Sequence, residues 1–77
     1  MKFYNPFKPH IVKRGDQYAI RKWEGAWDYL DIKRDLWWYL KEYVESYATT
    51  KDLSIVTERL QVYNEKLIKD KIKWEPL

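Results

Sequence analysis

The 77-residue sequence has no cysteine, one histidine, one methionine and two glycines. Without cysteine no disulfide can form and no thiolate can hold a metal, a composition that fits a reducing cytoplasm. General-base catalysis needs a base with a partner and a pocket, and His10 is the sole imidazole. Ser46 and Ser54 are the only serines and neither sits in a nucleophile-elbow context. Gly15 and Gly25 are too few for a phosphate-cradling loop. Asp28, Asp31 and Asp35 lack the spacing of a calcium-binding loop and read as solvated carboxylates at strand ends. No apolar run approaches the ~18 residues needed to cross a bilayer, and Met1–His10 has no signal-peptide apolar stretch. The expectation is a cytoplasmic, non-enzymatic domain with no catalytic residue, cofactor or metal.

What the chain does have is aromatic surface: five Trp and seven Tyr, with aromatics at 18% of residues. A domain of this length buries only ~60% of its unfolded surface, while each large aromatic ring can bury roughly 150–250 Å². Charge is the second feature. The net charge is +3, and it sits toward the N-terminus: residues 1–34 carry eight Lys/Arg against four Asp/Glu. Such a balance suits an acidic protein surface or a nucleic acid.

Along the chain, residues 1–9 read as an extended arm, since Pro6 and Pro9 push Asn5 and Lys8 away from helix; Phe3, Tyr4 and Phe7 are positioned to pin it. His10–Arg14 and Gln17–Trp23 read as a β-hairpin with Gly15-Asp16 as its loop. That register pairs Ile11 with Ile20, Val12 with Ala19 and Lys13 with Tyr18. The same turn accounts for Arg14-Gly15-Asp16, a tripeptide that cell-adhesion receptors recognise. Glu24-Gly25-Ala26 breaks the pattern, and Trp27–Asp31 reads as a third strand with Trp27 and Tyr29 on one face and Asp28 on the other. Leu36–Ala48 supports two readings. Leu36, Leu40, Tyr43, Val44 and Tyr47 have helical spacing, yet Leu36–Tyr39 is a run of strand formers; a strand at 36–39 is favoured. From Thr49 a helix is predicted to run to residue 73. Thr49 is the expected N-cap and Asp52 the N3 residue of a capping box, and Leu53, Val56, Leu60, Tyr63 and Leu67 form its apolar stripe.

The predicted fold is α+β, one domain over 1–77. An antiparallel meander of three to four short strands fills 10–48, and a long C-terminal helix over 49–73 packs on one face. The alternative is a hairpin followed by a two-helix hairpin. The expected core is Ile11, Ile20, Trp27, Tyr29, Leu36, Leu53, Val56, Leu60, Tyr63 and Leu67.

Two surfaces qualify as binding sites. Trp37-Trp38 must point in different directions whether strand or helix. One ring therefore belongs to the core and the other to a surface that is at least partly exposed, where Trp is a frequent hot-spot residue. Beside it lies a basic-aromatic set: Arg14, Arg21, Lys22, Lys33 and Arg34 with Tyr18, Trp23, Trp27 and Tyr29. A sheet face of this kind can contact a protein, or it can stack bases while its cations meet phosphates. The candidate partner-binding residues are Trp37, Trp38, Arg14, Arg21, Lys22 and Trp23. Ile55, Val62, Ile68 and Ile72 lie off the main helix stripe and offer a surface for self-association, so a homo-oligomer is a third possibility.

Lys8-Pro9-His10-Ile11-Val12, Tyr18-Ala19-Ile20-Arg21-Lys22-Trp23, Trp27-Asp28-Tyr29-Leu30-Asp31, Trp37-Trp38 and the capped helix carry a resemblance. Over about residues 8–60 the chain resembles small proteins of tailed bacteriophages with a Lys-Pro-X-Ile-Val strand, a Tyr-X-X-Arg-Lys strand, a Gly-Trp-X-Tyr-Leu-Asp strand, a Trp-Trp pair and a short capped helix. Ala26 stands where that pattern has Gly, and the helix here is longer. The resemblance implies a viral accessory protein made in a bacterial cytoplasm, a class often devoted to binding host proteins. The family has no established activity, so no functional residue carries over. It also favours strand over helix at 36–48.

Overall fold

The computed structural model describes residues 5–77. Its sheet has four antiparallel strands in sequential order: β1 (His10–Arg14), β2 (Gln17–Trp23), β3 (Trp27–Leu30) and β4 (Trp37–Trp38). Two helices follow, α1 (Lys41–Tyr47) and α2 (Leu53–Lys71). The class is the predicted α+β meander with a long C-terminal helix. The two-helix alternative is not realised, because the helices cover opposite faces of the sheet rather than each other.

The β1–β2 register pairs Ile11 with Ile20, Val12 with Ala19 and Lys13 with Tyr18, closing on Arg14 and Gln17. Gly15 takes φ +60° while Asp16 stays at negative φ. That pattern, positive only at the first loop position, is the twist-matched primed turn a two-residue hairpin favours. Gly25, at φ +77°, turns the chain between β2 and β3.

Alternation along these registers sorts the side chains. One face carries Ile11, Lys13, Tyr18, Ile20, Lys22, Asp28, Leu30 and Trp37. The other carries His10, Val12, Arg14, Gln17, Ala19, Arg21, Trp23, Trp27, Tyr29 and Trp38. Helix α2 lies on the first face: Ile20, Leu30 and Val56 are fully buried, with Ile11, Tyr18, Ile32, Trp37, Leu60 and Tyr63 packed around them. The expected core is therefore corrected. Trp27 and Tyr29 lie on the opposite face and are only half-buried, and Leu36, Leu53 and Leu67 are exposed. Leu30, which shares a face with Asp28, takes the central place. The α2 stripe outruns the short sheet, which leaves Leu67 partly in solvent. The overhang shows in a radius of gyration of 14.0 Å, against roughly 11.5 Å for a sphere-like chain of this length.

Three local readings are also corrected. Residues 5–8 are not extended. Phe7 N–H donates to Asn5 Oδ1 and Lys8 N–H to the Asn5 carbonyl, an Asx-supported turn with Pro6 pre-set for it. The arm docks through the Pro6 carbonyl, which accepts from Trp23 N–H at 2.8 Å; Phe7 is exposed, and Phe3 and Tyr4 lie outside the described residues. Segment 10–48 is not mainly β to its end, because the strand and helix readings of 36–48 each hold for half of it: β4 stops at Trp38 and α1 begins at Lys41. Nor does the long helix begin at Thr49. Thr49 Oγ1 donates back to the Glu45 carbonyl at the end of α1, and Thr50 forms an antiparallel bridge with Tyr18. The N-cap is Asp52, whose Oδ1 accepts from the Ser54 amide at 2.9 Å and the Ser54 hydroxyl at 2.7 Å. At the other end α2 stops at Lys71, with Ile72 as C-cap, two residues short of the predicted end.

Candidate functional site

The site begins with the adjacent tryptophans. Register sends Trp37 to the α2 face and Trp38 to the α1 face, so each meets a different helix. Trp37 packs edge-on against Tyr63 of α2, with centroids 5.5 Å apart. Trp38 lies against Tyr43 and Tyr47 of α1, at 5.1 and 5.4 Å. Both are half-buried: Trp37 packs against the core beneath α2, and Trp38 stays partly exposed on the α1 face.

Below Trp38, the chain between β3 and β4 is organised by Asp31. This carboxylate is 1% exposed and is no solvated strand-end residue. Its Oδ1 accepts from the Lys33 and Arg34 amides at 2.7 and 3.0 Å, and its Oδ2 from Trp38 Nε1 at 2.9 Å. The Arg34 guanidinium stands 3.6 Å away. Burial pushes the carboxyl up, but the Trp38 indole, the two amides and the guanidinium outweigh it and hold Asp31 below its ordinary value. From α2, Arg59 donates to the Asp31 and Arg34 carbonyls and to Asp35 Oδ1, and Lys66 also pairs with Asp35. Both cations hold Asp35 below its ordinary range. This network ties the β3–β4 connection to Trp38 of β4 and to α2.

The predicted site residues divide between the two faces, because Arg21 and Lys22, as neighbours on one strand, must point apart. Lys22 goes to the α2 face. Its ammonium sits 4.3 Å from the Trp37 ring centroid and 2.9 Å from Glu24. Lys22 and Trp37 are thus part of the scaffold. Arg14, Arg21, Trp23 and Trp38 share the other face. Arg21 lies over the Trp27 ring at 3.8 Å, and Trp27 meets Trp23 and His10 edge-on at 5.0 and 6.1 Å.

Between this second face and α1 runs a groove of about 600 Å³. Val12, Ala19 and Val44 supply its apolar part, Arg14, Arg21 and Lys41 its cations, and Tyr29 and Tyr39 its rings. Glu45 closes one side by an ion pair with Arg14 across the groove. Next to it α1 leaves apolar surface in solvent: Tyr39 is 69% exposed, and Leu40, Tyr43 and Tyr47 are each more than two-fifths exposed. Sequence reasoning missed Tyr39, Lys41, Tyr43 and Tyr47 as surface residues. The helical spacing of Tyr43 and Tyr47 is the signal the sequence offers for them.

Among the described residues no group of three or more His, Cys, Asp or Glu is placed to hold a metal ion, and no helix is long and apolar enough to cross a membrane. The arrangement is a mixed apolar, aromatic and cationic groove with an aromatic ridge beside it. No protein-family model, curated protein or solved structure matches the chain.

Proposed function

We propose that this chain is a non-catalytic module that binds another protein through its open sheet face and α1. The resemblance to small tailed-phage proteins suggests a bacterial host protein as the partner, engaged or inhibited in the host cytoplasm. The observation that carries the reading is the exposed ridge Tyr39-Leu40-Tyr43-Tyr47 beside a groove with an apolar floor. Tyrosine combines an apolar body with a polar tip and is enriched at protein interfaces, and contiguous exposed apolar surface marks interaction sites.

The nucleic-acid reading has less support. Stacking platforms need open ring faces. Here Trp27 is covered by Arg21 on its face and met edge-on by Trp23 and His10, while Trp38 is stacked on Tyr47 with planes 28° apart. Tagged protein incubated with bacterial lysate tests the choice, with and without nuclease and at low and high salt. One protein retained through both treatments, and lost from the double variant Tyr39→Ser/Tyr43→Ser, is the expected result. Recovery of nucleic acid that disappears with nuclease or salt would overturn it, since phosphate contacts weaken steeply with salt.

A further inference from the structure

Among the described residues, strand β1 is an edge of the sheet. In an antiparallel ladder, opposed residues alternate between pairs that exchange two hydrogen bonds and pairs that exchange none. Tyr18 spends its backbone groups away from β1, donating to the Thr50 carbonyl at 2.7 Å and accepting from Thr50 N–H at 3.0 Å. Its partner Lys13 therefore belongs to a non-bonded pair, and so does Ile11, two residues back, opposite Ile20. The N–H and C=O of Ile11 and Lys13 point outward from the sheet, and no described residue outside the strand pairing bonds them. The opposite edge is no equivalent: β4 has two residues and leads directly into α1.

The open edge carries charge of one sign. Lys8, Lys13 and Arg14 are arrayed along it, and the adjoining groove adds Arg21 and Lys41 against a single carboxylate, Glu45. Strand edges are commonly guarded from pairing with their own kind by lysine, and a second copy of this chain would bring the same cations to the same edge. A strand rich in Asp or Glu would find complementary charge.

We propose that an extended, acidic segment of the partner protein adds to β1 as a fifth strand, bonding the Ile11 and Lys13 backbones and directing alternate side chains into the groove beside Val12. The proposal rests on the protein-binding reading above and names the chemistry of the partner. Strand addition draws affinity from main-chain bonds and specificity from pockets for every second side chain, and both are present here.

The test uses the full chain, ¹⁵N-labelled, with three probes: acetyl-(Glu-Val)₄-amide, acetyl-(Lys-Val)₄-amide, and the acidic peptide N-methylated at alternate residues. The acidic peptide should shift the Ile11 and Lys13 amide resonances and slow their hydrogen exchange at least tenfold. The basic and N-methylated peptides should do neither. Lys13→Pro removes an outward N–H without removing a bond inside the sheet, and should weaken binding of the acidic peptide at least tenfold. Unchanged exchange at Ile11 and Lys13, or equal binding by folded Lys13→Pro or by the N-methylated peptide, overturns strand addition. Should the proline variant fail to fold, the wild-type exchange data and the N-methylated peptide decide alone. A partner retained from lysate together with unchanged β1 exchange would overturn this proposal and leave the protein-binding reading standing; nuclease-sensitive recovery would remove the reading itself.

Discussion

The two faces of the sheet have nearly the same apolar content but opposite fates. Under α2, the aliphatic side chains of Ile20, Leu30 and Val56 interlock with no exposure at all, and the Trp37–Tyr63 contact closes one end. Under α1, a helix of seven residues covers Val44 and Ala19 and leaves the rest of the face as a groove rimmed by arginine, lysine and tyrosine. Length decides much of this. A 19-residue helix spans about 28 Å, and a seven-residue one about 10 Å, so only α2 can roof a four-stranded sheet. The covered face holds the domain together, and the partly covered face remains available for contact.

The largest expected effect lies on the covered face. Leu30→Ala removes a fully buried side chain and should cost ~2–5 kcal/mol, a large fraction of the stability of a domain this small. Val12→Ala, on the wall of the groove, should cost about 1 kcal/mol or less, because its side chain is only half-buried. Urea melts followed by circular dichroism compare the two directly. Equal losses would mean that the groove face is as much a core as the face beneath α2.

Asp31 joins the two faces, since it holds the chain that passes from β3 to β4. Asp31→Asn keeps the shape but leaves at least one donor facing a donor, and should cost ~1–3 kcal/mol at neutral pH. Acid sharpens the prediction. The folded carboxyl titrates below its ordinary value of 3.8, so the unfolded chain takes up this proton first. The stability Asp31 supplies is complete above the unfolded value and is lost as pH falls through the folded one. Wild type should therefore lose stability below about pH 4, and Asp31→Asn should lose less over that range. Asp35 and Asp52 are also held low, by Lys66 with Arg59 and by Ser54 respectively. The variant's acid limb should accordingly flatten without vanishing. Thermal melts at pH 7 and pH 3 measure both halves of this expectation.

Much of the fold was legible because its signals are local. Gly15-Asp16 between strand formers specified a two-residue loop, and a loop of known length sets the register of every pair in the hairpin. Alternation in Trp27–Leu30 was also legible, but which of its two faces would be buried was not. Aromatic bulk pointed to Trp27 and Tyr29, whereas Leu30 beside Asp28 won, because Asp28 sits at the sheet end opposite Lys22 and leaves Leu30 free to meet α2. Asp31 was misjudged for a related reason: a carboxylate in a charged run reads as solvated until the fold brings two amides and an indole to it. The site was half legible. Arg14, Arg21, Trp23 and Trp38 share one face as a binding surface would need, but adjacency in sequence pulled in Lys22 and Trp37, which strand geometry places opposite. The Tyr39–Tyr47 ridge stayed hidden because an amphipathic spacing shows which residues share a face and not whether anything covers it.

The smallest expected effect on stability is also the most informative about the groove. Arg14 pairs with Glu45 and with Gln17 at the rim, with 66% of its side chain in solvent. Exposed pairs of this kind contribute ~0.2–1 kcal/mol, so Arg14→Gln should scarcely move the melting curve. Capture of an acidic partner segment should respond far more. Two cations remain on the groove side, Arg21 and Lys41, and Glu45 is released from its partner, so the local field swings toward repulsion of carboxylates. Binding of acetyl-(Glu-Val)₄-amide should fall several-fold and become less sensitive to salt, while the melt stays within about 1 kcal/mol of wild type. A melt shifted as far as that of Leu30→Ala would place Arg14 among the structural residues and erase the distinction between the two faces. Unaltered peptide binding would confine the cationic contribution to Lys8, Lys13, Arg21 and Lys41.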